Sequence, residues 1–327
     1  MNALMKAIVQ EEYGSADVLK LQEIEQPTAG PGEVLIRVQA AAVDAGVWHL
    51  MTGLPYLLRL MGFGLRKPRV RVRGREVSGH VVAVGDSVTR FQPGDEVFGF
   101  CESAFAEYAS APEDGFVLKP SNLSLQHAAA VPISATTALQ ALRDAGRVRP
   151  GQRVLVIGAA GGVGTFAVQL AKAFGAEVTG VCSTTKTELV RSIGADAVID
   201  YTQEDFADRA HHYDLILDIA GNRSLSHLRR ALAPRGTLVI VGGESEGRWF
   251  GGTDRVLRAL LLSPFLRQRL CGLFAAERLK DLRTVVELIA AEEISPVIDR
   301  IHPLHELPQA IEHLRAGGAR GKVLITP

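Results

Sequence analysis

Cysteine is scarce in this chain of 327 residues. The sequence contains three cysteines, Cys101, Cys182 and Cys271, and they lie too far apart to form a C-x-x-C pair. This scarcity excludes a disulfide framework and a cysteine zinc cluster, because both need several cysteines at close or matched spacing. We therefore expect a reducing compartment and assign the protein to the cytoplasm.

An excess of charge of one sign is also missing, and so are long apolar runs. The 36 basic residues balance the 36 acidic residues, which argues against binding to nucleic acid or to an anionic membrane surface. The most apolar stretch, residues 256–274, is interrupted by Arg258, Pro264, Arg267 and Arg269, so it cannot span a bilayer. The first residues lack the apolar core of a signal peptide. We expect no nucleic-acid partner and no membrane association.

The length of the chain favours two domains. Residues 1–123 contain short alternating apolar runs, turn residues and glycines inside the runs, which predict a bent, β-rich domain. In residues 124–293 strands alternate with helices, which predicts a doubly wound parallel sheet. Residues 294–327 return to short strands, and we expect this tail to rejoin the first domain.

The stretch at residues 154–164 organises the second domain, and it reads V-L-V-I-G-A-A-G-G-V-G. Four apolar residues without alternation predict a parallel strand covered on both faces, and the pattern that follows predicts a glycine turn and a helix. A diphosphate can rest on the free N–H groups at a helix N-terminus only where no β-carbon blocks its approach. The sequence therefore predicts a dinucleotide site, and its candidate residues are Ala160, Gly161, Gly162 and Val163.

Two further elements are predicted in this domain. Residues 127–143 have the pattern of one helix, and residues 269–274 that of an apolar edge strand. An exposed apolar edge strand favours pairing with a second copy. We therefore expect a homodimer.

Several phrases, taken in their order along the chain, resemble those of the medium-chain dehydrogenase/reductase superfamily. The phrases are G-R-E-V-S-G-H-V-V-A-V-G, F-Q-P-G-D-E-V-F-G, T-T-A-L-Q-A-L, G-A-A-G-G-V-G, S-I-G-A-D-A-V-I-D-Y and R-G-K-V-L-I-T. The resemblance implies an α/β protein with a GroES-like, β-rich catalytic domain and a Rossmann dinucleotide-binding domain. Within the superfamily the chain is similar to the zinc-free quinone oxidoreductase branch. V-C-S, L-L-S-P-F and C-G-L-F resemble phrases of the reticulon-4-interacting oxidoreductases and their bacterial relatives.

The zinc dehydrogenases of this superfamily carry a cysteine in an early loop and a G-H-E phrase, and both supply metal ligands. In this chain Asp44 stands at the position of the early-loop cysteine, and Arg75 stands at the position of the ligand in the G-H-E phrase. A guanidinium remains protonated and cannot bind zinc, and one carboxylate cannot hold the ion alone. We predict no metal site.

The residues after the second strand of the Rossmann domain indicate the cofactor. Ser183, Thr184, Thr185 and Lys186 offer hydroxyl groups and one ammonium, with no carboxylate among them, and this set suits the 2′-phosphate of NADPH. The resemblance implies that Ser183, Lys186 and Tyr201 bind this phosphate. Ordinary helix capping is the alternative role for Ser183 and Thr184.

Other cofactor contacts follow only from the resemblance. Thr137, Gly272, Phe274, Ala319 and Arg320 match family positions that touch the nicotinamide half or the phosphates, and Gly242 is a further cofactor-binding candidate. For Gly272 and Phe274, packing within an edge strand is as good an explanation as contact with the cofactor. Arg320 could equally be a solvated residue of the tail.

Without zinc, a protein group must stabilise or protonate the substrate oxygen. His49 stands where relatives place a proton-relay histidine or a substrate-side tyrosine, and imidazole can donate a proton near neutral pH. Asp44 could hydrogen-bond the substrate or the ribose, or only cap the next helix. Residues 53–64 are unusually apolar and could form a lid over a flat substrate; a buried helix against the neighbouring domain is the alternative.

The sequence as a whole predicts an NADPH-dependent, zinc-free oxidoreductase that delivers hydride to a quinone or an α,β-unsaturated carbonyl in a cleft between its domains. We expect two kinds of partner, the small-molecule substrate and a second copy of the chain. Alcohol or aldehyde interconversion is the alternative reaction. A further alternative is that the protein is not an enzyme but a sensor that binds NADPH.

Overall fold

The structure is a computed structural model that describes residues 3–208, 213–242, 247, 249 and 251–327. The strands are β1 Leu4–Gln10, β2 Leu19–Glu25, β3 Glu33–Val43, β4 Glu76–Val84, β5 Glu96–Phe100, β6 Tyr108–Pro112, β7 Phe116–Leu118, β8 Arg153–Ile157, β9 Glu177–Cys182, β10 Ala197–Asp200, β11 Tyr213–Asp218, β12 Leu232–Ile240, β13 Arg269–Gly272, β14 Ile298–Pro303 and β15 Lys322–Thr326. The helices are α1 Ala45–Thr52, α2 Tyr56–Leu58, α3 Leu125–Ala129, α4 Pro132–Leu139, α5 Gly162–Ala173, α6 Thr187–Ser192, α7 Leu225–Ala231, α8 Thr253–Leu262, α9 Leu279–Ala290 and α10 Leu307–Arg315.

The chain forms two compact units. Unit 1 comprises Met1–Ser134, Glu277–Ala290 and Pro296–Pro327, and unit 2 comprises Ala135–Ala276 and Ala291–Ser295. The last segment lies in unit 1, where β15 pairs antiparallel with β3.

The predicted domain boundaries at residues 123 and 293 differ from this division, because α3 and α9 lie in unit 1. Helix α3 packs on β3, β4 and β5, and Ser78 donates a hydrogen bond to the Leu125 carbonyl at 2.5 Å. Helix α9 packs on β7, and the Asn122 amide donates to the Ile289 carbonyl at 2.8 Å.

Unit 1 is built on a seven-stranded sheet. Its strands follow the order β14-β15-β3-β4-β5-β7, with β6 also paired to β3, and β1 and β2 form a separate two-stranded sheet. Alternate residues of β3, among them Val34, Ile36 and Val38, point into one apolar core with Phe105 and Phe116. The alternation seen in the sequence therefore marks the buried face of this strand.

Unit 2 is a parallel six-stranded sheet in the order β10-β9-β8-β11-β12-β13. Numbered from β8, this order is 3-2-1-4-5-6, the arrangement of dinucleotide-binding folds. The four apolar residues Val154, Leu155, Val156 and Ile157 are all buried, as a central strand covered on both faces requires. The predicted doubly wound sheet is confirmed.

One prediction about a helix was wrong. Residues 127–143 do not form one helix, because α3 ends at Ala129 and α4 starts at Pro132, which has no N–H group to continue a helix across the junction. Of the two alternatives for residues 53–64, a lid and a buried helix, the buried helix does not fit, because Leu60 and Met61 are 70% and 65% exposed. None of the helices in the described ranges is long and apolar enough to cross a membrane.

The three cysteines are free thiols. Burial raises the pKa of the Cys101 thiol to about 12 and that of Cys182 to about 11. Burial also raises the pKa of Cys271. All three therefore stay protonated at neutral pH.

Candidate active site

The carboxyl ends of the unit 2 strands are aligned along one edge of the sheet. Ile157 at the end of β8 pairs with Asp218 of β11, Asp200 of β10 pairs with Cys182 of β9, and Ile240 of β12 pairs with Asp218. The residues that follow these strand ends therefore lie on the same edge. They include the glycine turn, Ser183, Tyr201 and Gly242, which the sequence had predicted as parts of one site.

Of the three spaced glycines in the turn between β8 and α5, Gly158, Gly161 and Gly164, the fold does not need Gly161. Gly158 has φ +90°, and a β-carbon on Gly164 would lie 2.0 Å from the Gly158 carbonyl oxygen, so both are required by the backbone. A β-carbon on Gly161 would meet only that same oxygen, at 3.5 Å, and Gly161 has φ −84°. The space beside Gly161 is open, and no side chain caps the first turn of α5. This geometry suits a bound diphosphate.

Ser183 and Tyr201 follow neighbouring strands. Ser183 precedes a short 3₁₀ turn, Thr184–Lys186, and the Tyr201 N–H donates to the Cys182 carbonyl at 3.1 Å. Ser183 is partly buried and Tyr201 is half exposed. Both sit at the edge where a cofactor ribose is expected.

An acidic residue that the sequence reasoning missed lies beside them. Asp200 accepts hydrogen bonds from Thr184 Oγ1 at 2.5 Å, Thr202 N at 3.0 Å and Thr202 Oγ1 at 2.8 Å. The Thr184 hydroxyl is the main cause that lowers the pKa of this carboxyl, with Thr202 helping. The only available signal was its place at the end of the third strand, because Thr184 and Asp200 are brought together by the pairing of β9 with β10.

A buried ion pair at the same edge was also missed. Asp218, the last residue of β11, is fully buried, pairs with Arg255 of α8 and accepts the Gly221 N–H at 3.2 Å. Burial raises the pKa of the Asp218 carboxyl, and Arg255 opposes that shift. Two buried nitrogen atoms of Arg255, Nε and Nη1, have no hydrogen-bond partner among the residues that the structure describes.

Gly242 and Gly272 have packing reasons of their own. A β-carbon on Gly242 would lie 2.0 Å from the Ile219 carbonyl oxygen, and one on Gly272 would lie 2.3 Å from Val256 Cγ1. Gly272 therefore fits the packed edge strand, whereas Phe274 is exposed. Thr137 lies in α4 and is half-buried.

Two predicted cofactor contacts belong to unit 1. Ala319 is buried in the core of this unit, and Arg320 next to it is exposed. Both lie in the loop between α10 and β15. Of this pair only Arg320 presents a side chain to solvent.

Asp44 caps helix α1 and still has an unused oxygen. Its Oδ1 accepts the Val47 N–H at 3.2 Å, which confirms the capping role. Its Oδ2 is buried and accepts no hydrogen bond from the described part of the chain. A buried acceptor without a donor costs about 1–3 kcal/mol.

Arg75 stands beside Asp44 and forms an ion pair with Glu277. Burial lowers the pKa of the Arg75 guanidinium, but the carboxylates of Asp44 and Glu277 outweigh burial and hold it above its usual value. This position therefore carries a permanent positive charge. Among the residues that the structure describes, no group of three His, Cys, Asp or Glu side chains could hold a metal ion.

Glu76, the residue after Arg75, forms a fully buried ion pair with Lys322. The Glu76 carboxylate also accepts the Ile133 N–H at 2.9 Å. Burial raises the pKa of Glu76, and Lys322 opposes that shift. This pair links β4, which carries Glu76, to β15, the last strand of the chain, which carries Lys322.

His49 lies on α1 with its ring partly buried. Its Nδ1 is 3.0 Å from the Leu54 carbonyl oxygen. A carbonyl only accepts hydrogen bonds, so we assign the hydrogen to Nδ1 and leave Nε2 to exchange a proton with another group. This tautomer is compatible with proton transfer at Nε2.

The chain can now be compared with known proteins. Two family models match, "Alcohol dehydrogenase GroES-like domain" over residues 30–121 and "Zinc-binding dehydrogenase" over residues 193–325. The chain is 35% identical over 339 residues to the 2-methylene-furan-3-one reductase of Solanum lycopersicum, covering 99% of this chain and 79% of the relative. It is 32% identical to the mitochondrial NAD(P)H oxidoreductase RTN4IP1 of Mus musculus, covering 99% and 89%.

A solved structure supports the same grouping. The quinone oxidoreductase from Coxiella burnetii has a TM-score of 0.87 and 29% identity, and the match covers 99% of this chain and 100% of that chain. The GroES-like and Rossmann domains predicted from the sequence are confirmed by these similarities. The chain belongs to the medium-chain dehydrogenase/reductase superfamily, in its quinone oxidoreductase branch, and is a reductase with a dinucleotide-binding domain.

Proposed function

We propose that this protein is an NADPH-dependent oxidoreductase that delivers hydride to a quinone or an α,β-unsaturated carbonyl without zinc. The observation that carries the proposal is the open space at Gly161, where the fold itself does not require a glycine. The relatives add support, since one is named a 2-methylene-furan-3-one reductase and another an NAD(P)H oxidoreductase.

The diphosphate of the cofactor rests, in this proposal, on the N–H groups at the start of α5, between Ala160 and Val163. Gly161 and Gly162 let it approach the backbone, and the positive end of the helix dipole favours its charge. The bound NADPH supplies the hydride. Thr137, Phe274 and Arg320 remain proposed contacts of the cofactor.

NADPH is proposed over NADH because Ser183, Lys186 and Tyr201 surround the expected position of the 2′-phosphate. Asp200 is a like charge near this position, but Thr184 and Thr202 hold its carboxylate by three hydrogen bonds. We infer that these bonds spread the charge of Asp200 and that Lys186 decides the preference.

The substitution Lys186→Glu is expected to reduce the ratio of kcat/KM for NADPH to kcat/KM for NADH by at least about tenfold, because it places a like charge beside the phosphate. Steady-state kinetics with both cofactors measure this ratio. The control is Lys280→Glu, an equal charge change on an exposed residue of α9, which should leave the ratio as it is. An unchanged ratio in Lys186→Glu means that the phosphate binds elsewhere.

At the substrate end, the charge of Arg75 supports a reaction without zinc. A guanidinium in this position repels a metal cation and cannot bind it. The unpartnered Asp44 Oδ2 is proposed to accept a hydroxyl of the substrate or the ribose. His49 is proposed to act in its imidazolium form: Nδ1–H remains hydrogen-bonded to the Leu54 carbonyl, and Nε2–H gives its proton to the acceptor after the hydride has been transferred, which leaves the neutral ring.

The proposal is tested by following the oxidation of NADPH against quinones, enones, aldehydes and simple alcohols with a metal chelator present. We expect turnover of quinones or enones that the chelator does not reduce. Activity that the chelator removes contradicts the zinc-free mechanism. Activity confined to aldehydes and alcohols contradicts the assigned substrate class.

We also propose a homodimer formed through the edge of unit 2. Strand β13 ends the six-stranded sheet, and exposed apolar side chains lie beside it on α8 and the next turn, including Leu261 and Phe265, which is 86% exposed.

The substitution Phe265→Asp should convert the dimer to a monomer, as light scattering of the purified protein would show. The control Leu4→Asp changes an exposed leucine of unit 1. A wild-type protein with the mass of one chain contradicts the dimer.

The cytoplasm is the proposed compartment. Its support is that the three cysteines are unpaired, as a reducing environment requires. Fractionation of cells that express the protein tests this assignment.

A further inference from the structure

Residues 69–75 of unit 1 carry four arginines in alternation, R-V-R-V-R-G-R. Arg71 points outward and pairs with Glu11. Arg69, Arg73 and Arg75 instead line a cavity of about 460 Å³ within unit 1. We call this cavity the arginine pocket.

Arg73 is the unusual member of the arginine pocket, because it is a buried charge that forms no salt bridge with any residue that the structure describes. It is only 5% exposed. Its Nε donates to Gln10 Oε1 at 2.7 Å and its Nη2 donates to the Leu50 carbonyl at 3.1 Å, and both acceptors are neutral. Burial lowers the pKa of Arg73, and Tyr13 and Glu102 oppose that shift without reversing it; a guanidinium stays protonated in proteins. A buried charge of this kind is normally matched by an anion in direct contact.

The other charges around the arginine pocket do not cancel this one. Arg75 is matched by Glu277, and the one carboxylate that lines the pocket is Glu102, which is exposed to solvent. Arg69 is exposed and lines the same space. Arg73 and Arg69 together therefore leave the pocket positive.

Most of the other side chains in the wall are apolar. Leu50, Met61, Phe63, Val70 and Val72 line the arginine pocket, with Ser103 among them, and Met61 and Phe63 belong to the apolar segment for which a lid was one of the two alternatives. A volume of this size is within the range of pockets for small molecules. The pocket thus joins apolar side chains to two guanidinium groups, Arg69 and Arg73, that face a single exposed carboxylate, Glu102.

We propose that the arginine pocket binds the anionic end of the substrate, a carboxylate carried on an apolar or aromatic body. Guanidinium groups bind carboxylates through paired, charge-assisted hydrogen bonds, and the apolar wall takes the adjoining carbons. The proposal rests on the proposed reductase function for the carbonyl part of the substrate. It defines that substrate class as anionic enones or quinones.

Two matched enones test the proposal, 4-phenyl-3-buten-2-one and its derivative with a carboxylate at the para position of the ring. We expect kcat/KM with NADPH to be at least about tenfold higher for the carboxylated enone. In Arg69→Gln this advantage should fall to about twofold or less. The control Arg66→Gln removes an exposed charge that does not line the arginine pocket, and it should keep the full advantage. Arg73→Lys keeps the buried positive charge, so this variant should retain part of the kcat/KM advantage for the carboxylated enone.

An equilibrium measurement separates failure of the pocket from failure of the reductase. Titration calorimetry with 3-phenylpropionate, with 3-phenylpropanol and with inorganic phosphate needs no turnover. The arginine pocket is supported if 3-phenylpropionate binds, 3-phenylpropanol and phosphate do not, and Arg69→Gln weakens the binding of 3-phenylpropionate. This result would support the pocket even if neither enone is reduced. Equal binding of phosphate overturns the carboxylate class. No binding of 3-phenylpropionate to the wild type, or equal kcat/KM for the two enones, overturns the pocket while leaving the reductase in place.

Discussion

Replacing Gly161 with alanine is expected to weaken NADPH binding by about 10- to 100-fold. The added methyl group would stand where the diphosphate approaches the backbone, and losing one or two charge-assisted hydrogen bonds costs about 1.5–3 kcal/mol. The same methyl group meets only the Gly158 carbonyl at 3.5 Å, an ordinary contact, so the fold should not change. Fluorescence titration with NADPH and a thermal melt of the free protein measure the two effects.

Gly164→Ala is the matched control for this prediction. Its methyl group would lie 2.0 Å from the Gly158 carbonyl oxygen, so it should destabilise unit 2 by about 1–3 kcal/mol before any ligand is added. Gly161→Ala should therefore lose affinity without losing stability, and Gly164→Ala should lose stability. If Gly161→Ala binds NADPH as well as the wild type, the diphosphate does not rest on this turn.

Lys322→Met is expected to destabilise unit 1 by about 3–5 kcal/mol, because it leaves the carboxylate of Glu76 buried without its counter-charge. The two side chains are 2% and 0% exposed, so water cannot replace the lost partner. Urea unfolding followed by circular dichroism, together with calorimetry to separate the two units, measures the loss.

The double variant Glu76→Gln with Lys322→Met tests the cause of that loss. A glutamine at position 76 carries no charge, and its carbonyl can still accept the Ile133 N–H, so the double variant should be more stable than Lys322→Met alone. This non-additivity identifies an interacting pair. A double variant that is less stable than Lys322→Met rules out an uncompensated charge as the cause. Arg71→Met, which removes an exposed cation of unit 1 paired with Glu11, should cost about 1 kcal/mol or less.

The sequence predicted the glycine turn well because its signals are local. Four apolar residues, three spaced glycines and a helical pattern all lie within residues 154–174, and each element is decided by its own residues. The doubly wound parallel sheet followed in the same way, since strands that alternate with helices can close into few arrangements.

The place of helix α9 was not predictable in this way. Its pattern shows that one face is buried, and Leu282, Val285 and Ile289 are indeed buried. An apolar stripe specifies that a partner exists but not which one. Packing on β7 of unit 1 depends on contacts more than 160 residues apart in the chain, such as Asn122 with Ile289.

The acidic residue near the expected phosphate was missed for a related reason. Asp200 is 16 residues from Thr184 in the sequence, and only the parallel pairing of β10 with β9 brings them into contact. The arginines at residues 69–75 gave no signal for a cavity, because alternating charges in a sequence are typical of a solvated strand. Arg73 is distinguished only by the burial that the fold imposes on it.

The raised thiol pKa values of the cysteines have a chemical consequence for an enzyme that handles enones and quinones. Such compounds alkylate thiolates by conjugate addition, and the thiolate is the reactive form of cysteine. With a pKa of about 11, only about one Cys182 in 10⁴ is ionised at pH 7, and for Cys101 the fraction is smaller still. Under the proposed substrate class, protonated thiols in buried or partly buried positions would protect the enzyme against inactivation by the compounds that it reduces.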